Sequence, residues 1–155
     1  MGIDKDFGLA YAKSQMASQN SLPTKGLAFI SLKDRHKNEG VDLAKQLIKL
    51  GFTLCGTEGT ANRIIKNGIK CKKINKVSGG SPHIIDVLNS KKIALVINTG
   101  GGKRAYRIQD STSLRRSTLI NKVPYCTNMS TAYAFLEAIK SLKTKKIEVK
   151  SLQDI

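Results

Sequence analysis

From residue 27 onward, short runs of consecutive apolar residues alternate with stretches in which apolar positions recur every three or four residues. The first pattern suits buried strands and the second amphipathic helices. LAFISL (27–32), FTLC (52–55) and IALVINT (93–99) read as strands, and IALVINT, the most apolar run, as a central one buried on both faces. CKKINKV (71–77) makes a poorer edge strand and VPYCT (123–127) a short last one. Between them, GVDLAKQLIKLG (40–51) places Val41, Ala44, Leu47 and Ile48 on one helical face and closes on Gly51. GTANRIIKNG (59–68) is a short helix ending on Gly68, and SPHIIDVLNSK (81–91) is expected to open with Ser81 as N-cap and Pro82 in its first turn. SLRRSTLINK (113–122) supplies a further helix. STAYAFLEAIKSLK (130–143) closes the series, burying Ala134, Phe135, Ala138, Ile139 and Leu142. Strand and helix in alternation predict an α/β fold of three layers, α/β/α, around a mostly parallel five-stranded sheet. KIEVKSL (146–152) alternates with period two and is expected to form a terminal edge strand or a docking tail.

Residues 1–25 differ from this text. A weak stripe of Phe7, Ala10, Tyr11 and Ser14 gives way to a Ser/Asn/Pro/Thr stretch that reads as a linker, so the domain proper is placed at 26–155. A length of 155 residues suits one domain, and 40% hydrophobic with 25% charged residues excludes wholesale disorder. No apolar run reaches the ~18–20 residues of a membrane span, and the first residues lack the order of a signal peptide. Cys55, Cys71 and Cys126 include no C-x-x-C pair, and only His36 and His83 accompany them, so neither a disulfide framework nor a metal site is expected. A reducing cytoplasm is the expected setting. The net charge of +16 is enough to attract phosphates, but lysine is also the commonest solubilising surface residue, and the charge by itself is read as that rather than as the mark of a polyanion partner. With 5% aromatics and no Trp, it lacks the stacking residues of a typical nucleic-acid binder, and nucleic acid is not the expected partner.

In an open α/β sheet, ligands bind where strands end and helices begin, because free backbone N–H groups gather there. The strand exits then supply the candidates: Ser31 and Lys37 after the first, GTEGT (56–60) after the second, Lys76 and SGGS after the third, and Asn98, Thr99 and a glycine run after the fourth. In GTEGT, glycines permit close backbone approach, while Thr57 and Thr60 offer hydroxyls beside a helix N-terminus. This suits an anion cradle that Lys37 and Lys76 would close. The alternative that the two threonines only cap a helix stays open on spacing alone. TGGGKR (99–104) is not a Walker A motif, since Ile97 and Arg104 stand where glycine and a hydroxyl residue are required. No dinucleotide fingerprint follows the first strand, so the pocket suits a mononucleotide or a small phosphate ester. Asp34, Glu58 and Asp110 are carboxylates near the expected rim, but nothing pairs them for acid–base work. Binding is favoured over turnover, and no catalytic residue is assigned.

KGLAFISLKDRHK (25–37), LGFTLCGTEGTANRI (50–64), INKVSGGSPHIIDVLNS (74–90), LVINTGGGKRA (95–105) and SLRRSTLINKVPYCT (113–127) together resemble the C-terminal allosteric domain of the carbamoyl-phosphate synthase large chain, a branch of the methylglyoxal synthase-like family. The resemblance implies a Rossmann-like, methylglyoxal synthase-like fold and makes residues 1–25 the linker and the end of a preceding synthetase half. It implies a regulatory domain that binds UMP as inhibitor, and in some members IMP as activator, to control synthesis of carbamoyl phosphate for pyrimidines and arginine. Lys37, Thr57, Thr60 and Lys76 match the family's phosphate-binding positions, and Ser31, Asn98 and Thr99 its sugar and base positions. The implied domain carries no cofactor of its own, whereas the parent enzyme uses ATP with Mg or Mn and pairs with a small glutaminase chain. Two departures stand out: Gly100 stands where members carry a second Thr after Asn-Thr, which bears on effector choice, and SGGSP (78–82) replaces a stretch that often reads E-G-R-P, which alters the loop expected beside the pocket. The alternatives are a methylglyoxal synthase-type phosphate lyase, whose carboxylate base would fall in Gly79-Gly80-Ser81 where only a hydroxyl stands, and a basic nucleic-acid-binding module.

Overall fold

The computed structural model describes residues 1–76, 79–81, 83–100, 105–149, 151 and 153. The apolar runs become β1 (Gly26–Ser31), β2 (Phe52–Gly56), β3 (Lys72–Lys73), β4 (Ile93–Asn98) and β5 (Tyr125–Cys126). They pair in the order β3-β2-β1-β4-β5, every pair parallel, and the helices cover both faces. The apolar IALVINT run is thus an inner strand, while β1 holds the middle.

The helices are α1 (Phe7–Ala17), α2 (Lys37–Lys49), α3 (Glu58–Lys66), α4 (Ile84–Asn89), α5 (Ala105–Ile120) and α6 (Met129–Thr144), with a 3-10 turn at Asp34–His36. On one face of the sheet, Ala28, Ile30, Leu54, Leu95 and Ile97 pack with Leu43 and Leu47 of α2, Ile64 of α3, and Phe135 and Ile139 of α6. On the other, Phe29, Cys55 and Val96 pack with Ile84 and Leu88 of α4 and Leu114 of α5. Each fully buried Leu, Ile or Phe contributes roughly 1.5–3 kcal/mol, so the two layers are held mainly by burial. One irregularity falls at the entrance of β4. Leu27 pairs with Ile93 but Ala28 with Leu95, so Ala94 is an extra residue, and Ile93 joins the α4–α5 layer while Leu95 and Ile97 join the other. Gly26, at φ +125°, lies where a Cβ would come within 2.7 Å of the Ala94 methyl.

Several local expectations shift. Helix α4 begins at Ile84 with His83, not Ser81, at its N-cap; Pro82 lies outside the described residues. Asp86 accepts hydrogen bonds from the His83 backbone N–H and the Ser81 hydroxyl, each at 2.8 Å, and so takes the capping role. These two bonds, the backbone one foremost, hold its carboxyl below the usual carboxylate value. Helix α5 starts well before residue 113, and Ile48 of α2 is exposed, its place in the core taken by Leu43. Helix α1 buries Gly8, Leu9 and Ala12 rather than the Phe7–Ser14 stripe. It packs closely on α6, where a Cβ on Gly8 would collide with Ser141. Residues 146–149 form no strand, so the alternating tail has no ladder to join there. The cysteines are free. Burial pushes the Cys55 and Cys126 thiols up to about 12 and that of Cys71 up to about 11, which makes them poor nucleophiles. Among the described residues, no helix is long and apolar enough to cross a membrane.

Candidate functional site

Where β1 ends, its backbone N–H groups run out of sheet partners and must be satisfied otherwise. Two threonine hydroxyls do this: Thr60 Oγ1, from α3, accepts from the Leu32 N–H at 3.0 Å, and Thr99 Oγ1, after β4, accepts from the Lys33 N–H at 3.2 Å. The chain leaving β1 is thereby fixed from both sides. A cleft of about 380 Å³ opens there, at the carboxyl ends of the strands. Ser31, Lys37, Thr57, Thr60, Lys76 and Asn98 all line it, so six of the seven positions singled out from sequence meet at one cavity.

Thr57 occupies the N-cap position of α3, yet its side chain makes no capping bond. Its hydroxyl turns instead toward the hydroxyls of Ser31 and Thr60, 3.4 Å from each. The amide groups of the first turn of α3 are therefore not claimed by that side chain, and the positive end of the helix dipole lies at the cleft. Lys37 opens α2 and reaches across to the same turn, so that a Cβ on Gly59 would lie only 2.9 Å from its Nζ. The Lys37 ammonium is ion-paired with Asp34 at 2.6 Å. Lys33 and the exposed Lys76 add positive charge around the same space.

At the far side, the buried Asn98 amide is oriented at both atoms. Its Nδ2 donates to the Tyr125 hydroxyl at 3.1 Å, and its Oδ1 accepts from the Gly100 N–H at 2.9 Å. A Cβ on Gly100 would come within 2.7 Å of that Oδ1, so this amide orientation depends on glycine there. Thr99 is the exception among the seven. It is 3% exposed and absent from the cleft lining, and its hydroxyl is occupied by Lys33 and by His36 Nδ1 at 3.0 Å. Gly101, Gly102, Lys103 and Arg104 of the glycine-rich stretch, like Val77 and Ser78 beside Lys76, lie outside the described residues.

Sequence reasoning missed the wall that α5 contributes through Ser111 and Leu114 beside Asp110, and the supports His36 and Tyr125. The signal for the α5 wall was its true start near Ala105, which the mixed segment AYRIQDST conceals. Gly79, Gly80 and Ser81 do not line the cleft. Among the described residues, no group of three or more His, Cys, Asp or Glu could hold a metal ion.

Residues 39–127 match the model of the MGS-like domain. Over 154 residues the chain is 44% identical to the carbamoyl phosphate synthase large chain of Mesorhizobium japonicum, covering 99% of this chain and 13% of that one. It is 45% identical over 156 residues to the protein named carbamoyl phosphate synthase large chain, C-terminal section, of Methanopyrus kandleri, and 46% identical over 152 residues to the corresponding section in Aquifex aeolicus. These matches cover 100% and 98% of this chain but 28% of each relative. The chain thus spans well under a third of the length of these relatives. Among solved structures, methylglyoxal synthase from Elizabethkingia anophelis superposes with a TM-score of 0.57 at 19% identity, over 74% of this chain and 79% of that one, a likeness of fold.

Proposed function

This chain belongs to the MGS-like domain family and is homologous to the C-terminal part of carbamoyl phosphate synthase large chains, and from that premise we propose that it is a regulatory domain whose cleft binds a nucleoside monophosphate. One observation carries the reading: Lys37, Thr57, Thr60 and Lys76, brought from three strand exits, line one cleft around a helix start whose N-cap side chain is turned away. A phosphate seated there would take hydrogen bonds from the α3 amides and the threonine hydroxyls, and charge-assisted bonds from the two lysines worth about 1.5–3 kcal/mol each. The Lys37 ammonium has three N–H donors, so it can meet the phosphate while it keeps its ion pair with Asp34. The sugar and base would then extend toward Ser31 and Asn98. A volume of about 380 Å³ is at the small end for ligand pockets and suits a mononucleotide better than a dinucleotide.

UMP is the proposed inhibitor, with IMP as an activator competing for the same cleft. In this reading the domain adjusts ATP-dependent carbamoyl phosphate synthesis carried out by synthetase halves outside it, with Mg or Mn bound there and ammonia supplied through a small glutaminase chain. Residues 1–25 lead in from the preceding synthetase half. Gly100, which supplies a backbone N–H to Asn98 and no hydroxyl, is the position from which altered effector preference is expected.

Calorimetric titration of the chain with UMP, with IMP as competitor, tests the proposal. Saturable one-to-one binding, weakened ten- to a hundredfold in Lys76→Ala, is the expected result. Equal affinity in a folded Lys76→Ala variant would remove the phosphate assignment.

A further inference from the structure

The turn that delivers Lys37 to the cleft is held by a chain of three contacts. Arg35 Nε, which can only donate, lies 3.1 Å from His36 Nε2. That nitrogen must then be an acceptor without a proton, so a neutral His36 carries its hydrogen on Nδ1. Nδ1 lies 3.0 Å from Thr99 Oγ1, the oxygen that also accepts the Lys33 N–H at 3.2 Å. One hydroxyl after β4 therefore receives both ends of the turn Lys33–His36, and the residue that follows is Lys37. Neither His36 nor Thr99 lines the cleft, and Thr99 is buried.

We infer that His36, in its Nδ1–H tautomer, is a positioning residue: with Thr99 it latches the turn carrying Lys37 to the end of β4, tying the phosphate end of the cleft to the strand that holds Asn98. This rests on the reading of the cleft as a nucleotide site and assigns its regulation to a contact outside the ligand's reach. Thr99 then acts by accepting two hydrogen bonds rather than by touching sugar or base. A ligand that draws Asn98 toward the base also steadies the turn below Lys37, and a ligand that seats phosphate on Lys37 steadies the β4 exit.

Two measurements on the 155-residue chain test this. Long-range proton–nitrogen NMR of the imidazoles reads the tautomer without any ligand; His36 protonated on Nδ1 is expected, and the Nε2–H form would overturn the proposal. Titration with UMP then compares variants. His36→Leu and Thr99→Val, which lose the donor and the acceptor, are expected to weaken binding about five- to tenfold. His36→Asn, which places an amide N–H where Nδ1–H stands, and Thr99→Ser, which keeps the oxygen, are expected to stay within about twofold of the parent. Equal affinity across all four folded variants overturns the latch, as does equal weakening in the conservative pair. If the parent chain binds no UMP, the nucleotide reading fails, and the latch is decided by the tautomer.

Discussion

Two kinds of helix start coexist in this molecule. Helices α1 and α6 are capped by their own side chains: Asp6 Oδ1 accepts from the Leu9 N–H at 2.9 Å and Asn128 Oδ1 from the Thr131 N–H at 2.8 Å. Helices α2 and α3, which open beside the cleft, have His36 and Thr57 at their N-caps, and neither side chain caps its helix. Both turn sideways, His36 to Thr99 and Thr57 to Ser31 and Thr60. Capping is worth about 0.5–2 kcal/mol, so leaving two helices without it has a cost. The difference shows how the same residue types serve opposite ends. At α1 and α6 the satisfied cap makes the helix start structural, and at α2 the preceding 3-10 turn takes the Lys37 N–H onto the Asp34 carbonyl. At α3 the turned-away cap leaves the first-turn amide groups unclaimed by that side chain and open to an anion.

Exchanging atoms at the two kinds of start separates these roles. The largest effect is expected from Thr57→Val, which should cost ten- to a hundredfold in UMP affinity by calorimetry, with a change in unfolding midpoint smaller than that of a lost cap. Asn128→Ala should do the reverse. Urea unfolding is expected to report a loss of about 1 kcal/mol while UMP affinity stays at the parent value. The smallest effect concerns pH. The Lys145 ammonium at 2.5 Å, then the Ser141 hydroxyl and the Leu9 N–H, hold the Asp6 carboxyl well below its ordinary value of 3.8. Because the native value is the lower one, its contribution is complete above pH 3.8 and is lost as pH falls through the native value. Asp6→Asn should therefore lower stability at pH 7, and the gap from the parent should narrow below pH 3.8. A gap independent of pH would show that the carboxylate's charge contributes nothing.

The strands and the sheet class were legible because burial on two faces leaves unbroken apolar runs such as IALVINT, and the lysine-rich edge strand betrayed itself by lacking one. The cleft was legible for a related reason. Parallel topology sends every strand exit to the same rim, so Ser31, Lys37, Thr57, Thr60, Lys76 and Asn98 could be gathered without coordinates. What stayed hidden depends on partners rather than on pattern. Helix α1 packs through Gly8 and Ala12 because α6 approaches closely, and small residues leave no apolar stripe. The tail at 146–149 alternates as a strand would, but alternation without a neighbouring edge makes no ladder. Thr99 matched a ligand position by motif, while its hydroxyl is claimed by Lys33 and His36, a competition visible only once β1 and β4 lie side by side.

The extra residue at Ala94 also separates one end of β4 from the other. It is absorbed at the strand's entrance, next to Gly26, and from Leu95 to Asn98 the register against Ala28 to Ser31 runs without a break. The irregularity works as an expansion joint. A change in the length of the connection between α4 and β4 meets this slack before it meets the ladder, so the level at which Asn98 faces Ser31 is set by the paired residues and is insulated from the length of the loop that precedes them.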